Sequence, residues 1–187
     1  TIAISSKGAG PPLLLLHGDP QTGYMWHKIA PRLAEDFTVV VADLRGYGDS
    51  DKPTTSEDHV VYSKRAMAAD MMAVMTALGH SQFFIAGHDR GGRVAHRLAR
   101  DYPQAVTKLA VLDIAPTAMM YDTTDMHFAT SYYHWFFLIQ PAPFPETLIG
   151  SDPKFFLESK MQHWGKDRAA ITNDAFDEYL RCFSNPD

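Results

Sequence analysis

Short apolar and β-branched runs alternate along this chain with longer segments in which apolar residues recur every three or four positions. That is the pattern of a parallel sheet wrapped by helices. Leu13–Leu16 reads as a buried strand ending in the turn His17-Gly18-Asp19-Pro20. Thr38–Ala42 is a second strand, β-branched, ending at Asp43 before the loop Arg45-Gly46-Tyr47-Gly48. A helix is predicted from about Ser63 to Leu78, because Met67, Met71, Val74 and Leu78 are spaced four, three and four apart. Ser63 has the side chain of an N-cap and Gly79 that of a C′ stop. Phe83–Ala86 is a further strand, followed by Gly87-His88-Asp89-Arg90-Gly91-Gly92 and a helix reaching about Arg100. Val106–Leu112 is the next strand and ends at Asp113.

After Pro116 the texture changes. From about Ala118 the chain is rich in aromatics, Met and Pro, with helix-length segments and no alternating strands. Two units are therefore expected, an α/β core over residues 1–117 and an inserted helical cap over 118–187. No internal repeat or low-complexity tract interrupts either.

Composition narrows the function. With 187 residues, the chain has room for one domain, or one domain with a substantial insertion. The net charge is −5 and the Lys and Arg are scattered, which argues against nucleic acid or an acidic membrane surface as partner. No stretch approaches the roughly 20 apolar residues of a membrane helix. The lone Cys182 forms no internal disulfide, fits a reducing compartment and reads as a small buried apolar side chain. The His residues show no metalloprotease spacing and no zinc cluster is present, so no metal is expected. Gly46-Tyr47-Gly48 lacks the third glycine of a dinucleotide fingerprint, and no Gly-Lys-Ser/Thr occurs. No cofactor is implied.

The strongest local signal is Gly87-His88-Asp89-Arg90-Gly91, a Gly-x-nucleophile-x-Gly pattern squeezed between a strand and a helix. Small residues on either side let such a turn close sharply and push the central side chain out of the sheet. The plainer reading is a βα turn in which Asp89 caps the following helix. Arg90 and Arg93 stand three apart at the start of that helix and project from one face, where the helix N-terminus adds positive potential. They are either a solvated basic face or, beside a nucleophilic carboxylate, a clamp for an anionic substrate. Asp113 ends the strand after the elbow helix, at a carboxyl end where functional groups gather.

Together, His17-Gly18-Asp19-Pro20, Asp43-Leu44-Arg45-Gly46-Tyr47-Gly48-Asp49-Ser50-Asp51-Lys52-Pro53 and Gly87-His88-Asp89-Arg90-Gly91-Gly92-Arg93 resemble the α/β-hydrolase fold family. The branch is the one with an Asp nucleophile and a helical cap, and the likeness is strongest to haloacetate (fluoroacetate) dehalogenases. The resemblance runs essentially end to end. It implies that Asp89 attacks a saturated carbon, since a carboxylate attacking a carbonyl would give only a labile anhydride. Haloalkane dehalogenases and epoxide hydrolases of this branch usually carry Trp after the Asp, where this chain has Arg90. With Arg93, Arg90 favours a small halogenated acid.

The resemblance further assigns the halide to His134 and Trp135, within Ser131-Tyr132-Tyr133-His134-Trp135-Phe136-Phe137-Leu138. It assigns the oxyanion hole to backbone N–H groups of Asp19 and Arg90, and to Asp113 the orienting of a general-base His. Relatives place that His, and a late halide-contacting Tyr, beyond the position of Asp187. The chain therefore reads as the N-terminal part of a longer protein, truncated chiefly at its C-terminus, with an opening strand or two before Thr1 also missing and the sheet short of neighbours on one side. Asp19 stands where relatives more often carry an aromatic residue, and an inward carboxylate there would weaken anion binding. Two other readings stay open: an epoxide hydrolase using Tyr132 or Tyr133 as proton donor, and a non-catalytic binder of small acids. The resemblance also implies a cytoplasmic protein and leaves a homodimer open.

Overall fold

The computed structural model describes residues 1–55, 57–164 and 170–185. Five strands form one sheet in the order β1-β3-β2-β4-β5. They are β1 (Ile4–Lys7), β2 (Pro12–Leu16), β3 (Thr38–Ala42), β4 (Phe83–His88) and β5 (Val106–Leu112). β2 to β5 run parallel, and β1 pairs antiparallel with β3 at one edge. The hydrophobic pattern does not announce β1, because all four of its residues are exposed and only Ile4 is apolar. β5 forms the opposite edge, where Leu109, Val111 and Leu112 remain exposed.

The apolar run of β2 follows from burial on both faces. Leu14 and Leu16 join Val40, Ala42, Phe83 and Ile85 beneath two helices, α2 (Lys64–Ala77) and α3 (Arg90–Asp101). Leu13 and Leu15 face the other way, onto Trp26 and Val39, with Ala30 and Leu33 of α1 (Ala30–Leu33) packed alongside. Successive side chains of a strand point to opposite faces, so a strand covered on both sides reads as continuously apolar. Each fully buried leucine contributes about 1.5–3 kcal/mol, which makes β2 the spine of the sheet.

α2 begins and ends where its sequence says. The Ser63 side chain accepts a hydrogen bond from the Ala66 amide. At the other end Gly79 takes φ +82, and the Gly79 and His80 amides donate to the Thr76 and Met75 carbonyls, the Schellman closure. The buried row differs from the expected one. It consists of Met67, Ala68, Met71 and Met75, while Leu78, the C-cap residue where the chain turns away through Gly79, is 38% exposed.

The chain divides into two compact units, 1–114 with 172–185, and 115–171. The second is helical as expected: α4 (Thr117–Asp122), α5 (Met126–Ser131), α6 (Tyr133–Phe137), α7 (Phe144–Ser151) and α8 (Pro153–Trp164). Helices this short are marginal alone. Ring contacts among Tyr121, Phe128, Tyr132, Trp135 and Phe136 hold α4 to α6 together.

The expected unit over 118–187 is corrected at its far end. α9 (Asn173–Phe183) belongs with the sheet, because it buries Ala175 and Tyr179, and Tyr179 shares a side-chain hydrogen bond with Gln21. Arg181 also reaches Asp49 at 3.0 Å. Cys182, expected to be a small buried apolar side chain, is half-buried on this helix; its thiol donates to Glu178 at 3.5 Å and burial pushes its pKa up to about 11.

Candidate active site

The strand order reverses around β2: β3 lies on one side of it and β4 on the other. In open α/β sheets the crevice at the carboxyl ends of two such strands is where ligands bind. The loops leaving β2 and β4 are His17-Gly18-Asp19-Pro20 and the turn at Asp89. Sheet topology thus brings together the two segments that the sequence singled out separately.

The turn after β4 is closed by contacts only glycine permits. A Cβ on Gly87 would lie 2.4 Å from the Gly91 backbone, and one on Gly91 would lie 2.4 Å from the His17 carbonyl oxygen. The Gly91 amide donates to that same oxygen at 2.9 Å. Asp89 sits at the apex with φ 47 and ψ −114, a region that costs a non-glycine residue of order 1–3 kcal/mol. Its side chain makes no capping bond to α3, so the reading of Asp89 as a simple helix cap fails. Its amide donates to the Leu112 carbonyl at 3.2 Å, fastening the turn to β5.

His17 organises the loop after β2. It is fully buried, its Nε2 accepts from the Leu44 amide at 3.0 Å, and its Nδ1 lies 2.9 Å from the Gly18 carbonyl. Nε2 being an acceptor, Nδ1 carries the proton and donates to Gly18, which fixes both tautomer and loop. Burial pushes the His17 pKa down, consistent with a neutral ring. Gly18 then lies so close to the elbow that a Cβ on it would be 2.7 Å from Asp89 Cβ. Asp43 ties the neighbouring loops together, its Oδ1 accepting from the Gly23 amide at 2.7 Å and its Oδ2 from the Asp49 amide at 3.0 Å.

Charge converges at this point. Burial raises the Asp89 pKa, and the Asp19 carboxylate raises it further; Arg90, His88 and Arg93 oppose the rise. Asp19, whose direction the sequence left open, therefore acts on Asp89, and its Oδ1 accepts from the Tyr47 hydroxyl at 3.2 Å. Burial pushes the Tyr47 phenol far above its ordinary range. Arg90 is the first residue of α3, where no helical carbonyl can accept from its amide.

Sequence reasoning missed Lys64. It occupies the first position of α2, and burial, Arg90 and Arg93 bring its pKa down to about 8 while Asp89 and Asp19 act the other way. Its signal was available only as a cation at a helix N-terminus, where the dipole disfavours it.

Asp113 follows β5 with φ 54 and is exposed. His134 and Trp135 are adjacent on α6 in the second unit; His134 is buried, its ring 5.9 Å from that of Tyr132, and Trp135 lies 5.5 Å from Tyr121. Among the described residues, no group of three or more His, Cys, Asp or Glu is placed to hold a metal ion, and no helix is long and apolar enough to cross a membrane.

A parallel sheet with a strained acid at a glycine-closed elbow, backed by the loop from the neighbouring strand, is the framework of the α/β-hydrolase fold. The chain belongs to that family, its residues 11–185 matching the alpha/beta hydrolase fold. Over 187 residues, all of this chain and 62% of the relative, it is 50% identical to fluoroacetate dehalogenase of Burkholderia sp. Over 184 residues it is 40% identical to soluble epoxide hydrolase of Corynebacterium sp. (strain C12), spanning 97% of this chain and 63% of that one. A crystal structure from Nostoc sp PCC 7120, described as an alpha/beta hydrolase, matches 99% of this chain and 64% of its own at 60% identity, with a TM-score of 0.98. The chain thus spans less than two thirds of the length of these proteins.

Proposed function

We propose that this chain carries the nucleophile half of a hydrolytic haloacetate dehalogenase. The observation that supports this reading most is an acid held at a strained elbow with two arginines acting on it from the first turn of α3. An Asp89 oxygen attacks the α-carbon of a small haloacid, the carbon–halogen bond breaks, halide leaves with the bonding pair, and an aspartyl ester forms. Arg90 and Arg93 hold the substrate carboxylate, offsetting the repulsion that Asp89 exerts on an anion. His134 and Trp135 donate hydrogen bonds to the departing halide, which matters most for fluoride because it leaves carbon badly.

Water then adds to the ester carbonyl of Asp89, and the oxyanion is held by the backbone N–H groups of Asp19 and Arg90. A histidine that this family carries later in its chain, oriented by Asp113, takes the proton from that water. Collapse releases the hydroxy acid and restores the Asp89 carboxylate. The same reading places the protein in the cytoplasm, and a homodimer is compatible with it.

Incubation with chloroacetate, followed by intact mass and halide release, tests the reading. A carboxymethyl adduct on Asp89, or stoichiometric chloride with glycolate, is expected; neither from folded protein would sink it. The 40% identity to an epoxide hydrolase favours a second reading, in which Tyr132 or Tyr133 protonates an epoxide oxygen. Turnover of a neutral epoxide without halide release would establish that alternative, but a neutral substrate makes no use of the positive charge of Arg90 and Arg93 beside Asp89.

A further inference from the structure

Two acids and two arginines meet at the elbow: Asp89 and Asp19, Arg90 and Arg93. Their formal charges cancel. Attraction for an anion then depends on any further cation, and Lys64 is within electrostatic reach of all four.

Its placement is set by the fold. Ser63 caps α2 and leaves Lys64 as the first helical residue. α2 packs against α3 on the same face of the sheet, and the charges of Arg90 and Arg93 in the first turn of α3 act on Lys64. The Arg45 guanidinium anchors α2 by a two-pronged pair with Asp70, at 2.8 and 2.6 Å, and holds the turn just before the helix by a bond to the Val61 carbonyl at 3.0 Å. Among the described residues, the Lys64 ammonium has no hydrogen bond and no ion pair, although it is half-buried. A half-buried ammonium beside two guanidiniums and at the positive end of a helix is costly to the fold. The carboxylates of Asp89 and Asp19 offset only part of it, since the Lys64 pKa still falls to about 8.

We propose that Lys64 is a third anion-binding residue of this site, whose protonation decides whether the site carries a net positive charge toward a substrate carboxylate. This deepens the haloacid reading and rests on it for the substrate class. Charged Lys64 adds one donor and one positive charge that Arg90 and Arg93 alone do not supply; neutral Lys64 leaves the site electrically balanced by Asp19 and Asp89. With a pKa of about 8, that change falls within an accessible range. An anion bound beside the ammonium raises this pKa, so affinity for a carboxylate falls as pH rises through the value of the empty site.

The test uses acetate as an unreactive carboxylate and acetamide as its neutral counterpart, with calorimetric affinities between pH 6.5 and 9.5. Acetate affinity is expected to fall by up to about tenfold between pH 7 and pH 9 while acetamide stays flat. Lys64→Met should weaken acetate on the order of tenfold at pH 6.5 and remove the pH dependence. Lys64→Arg should keep tight binding and also flatten the profile, since a guanidinium stays charged throughout. Melting temperature at pH 7 should rise in Lys64→Met, whereas loss of a merely structural lysine would lower it. Unchanged acetate affinity and pH profile in Lys64→Met, or an equal pH profile for acetamide, would overturn the proposal. The arms separate from the dehalogenase reading: halide release with acetate binding insensitive to Lys64 sinks this inference alone, and Lys64-dependent acetate binding without halide release sinks only the chemistry.

Discussion

The turns that follow β4 and β5 carry the same device in two different settings. Each ends a parallel strand with an aspartate at positive φ, 47 at Asp89 and 54 at Asp113, and the Asp89 amide bonds to the Leu112 carbonyl just before its counterpart. The β4 turn is closed by glycines against the β2 loop and leads directly into α3. Its carboxylate is half-buried, has its pKa raised, and lies in the field of two arginines and a second acid. The β5 turn is exposed and leads out of the sheet toward the second unit. Backbone strain presents an acid at both places, and the surroundings differ: the half-buried one is the acid to which the proposed function gives the attack, the exposed one the acid to which it gives the orienting of a partner.

Exchanging the two acids for amides should separate these roles. Asp89→Asn is expected to abolish both halide release and the covalent adduct, a loss of at least about 10⁴-fold; comparable release by the variant breaks the assignment. Asp113→Asn should still form the adduct but slow its hydrolysis, with turnover down by roughly 10³–10⁴-fold. Intact mass showing ester trapped on Asp113→Asn and absent from Asp89→Asn would sharpen the distinction.

Packing gives the next effect. Gly91→Ala should destabilise by about 3 kcal/mol, because its Cβ meets the His17 carbonyl, and chemical denaturation would show it as a lowered midpoint. Smaller, and opposite in sign, is the strain at the apex. Asp89→Gly should stabilise by about 1–2 kcal/mol while removing activity.

Part of that gain depends on charge. Burial holds the Asp89 carboxyl above the ordinary carboxylate range, so ionising it costs folding stability as pH rises through the folded value. The stabilisation in Asp89→Asn should therefore be full at neutral pH and fade as pH falls into the ordinary carboxylate range. Melting curves at pH 4 and pH 7 that differ from wild type by the same amount would contradict the burial of this carboxylate.

Much of this arrangement is legible along the chain. β2, β3 and β5, the caps of α2, and the glycine-flanked Asp89 all follow from local rules: continuous apolar runs, Ser63 before the helix and Gly79 after it, and small residues around a sharp turn. Where the sequence misleads, a helix end or a distant partner is responsible. Leu78 keeps the helical period but sits at the cap and stays exposed. α9 follows an aromatic, helical stretch and so reads as part of it, yet Tyr179 and Arg181 find Gln21 and Asp49 in the first unit.

The candidate site divides along the same line. Periodicity, turn chemistry and the Gly-x-Asp-x-Gly spacing determine the strand, the elbow and the identity of the acid, because each depends on residues a few positions apart. The action of the Asp19 and Lys64 charges at the elbow, and the raised pKa of Asp89, were decided by the tertiary structure alone. Electrostatic coupling depends on distance and burial, and the order of strands around β2 sets both for residues up to 70 positions apart in the chain (from Asp19 to Asp89).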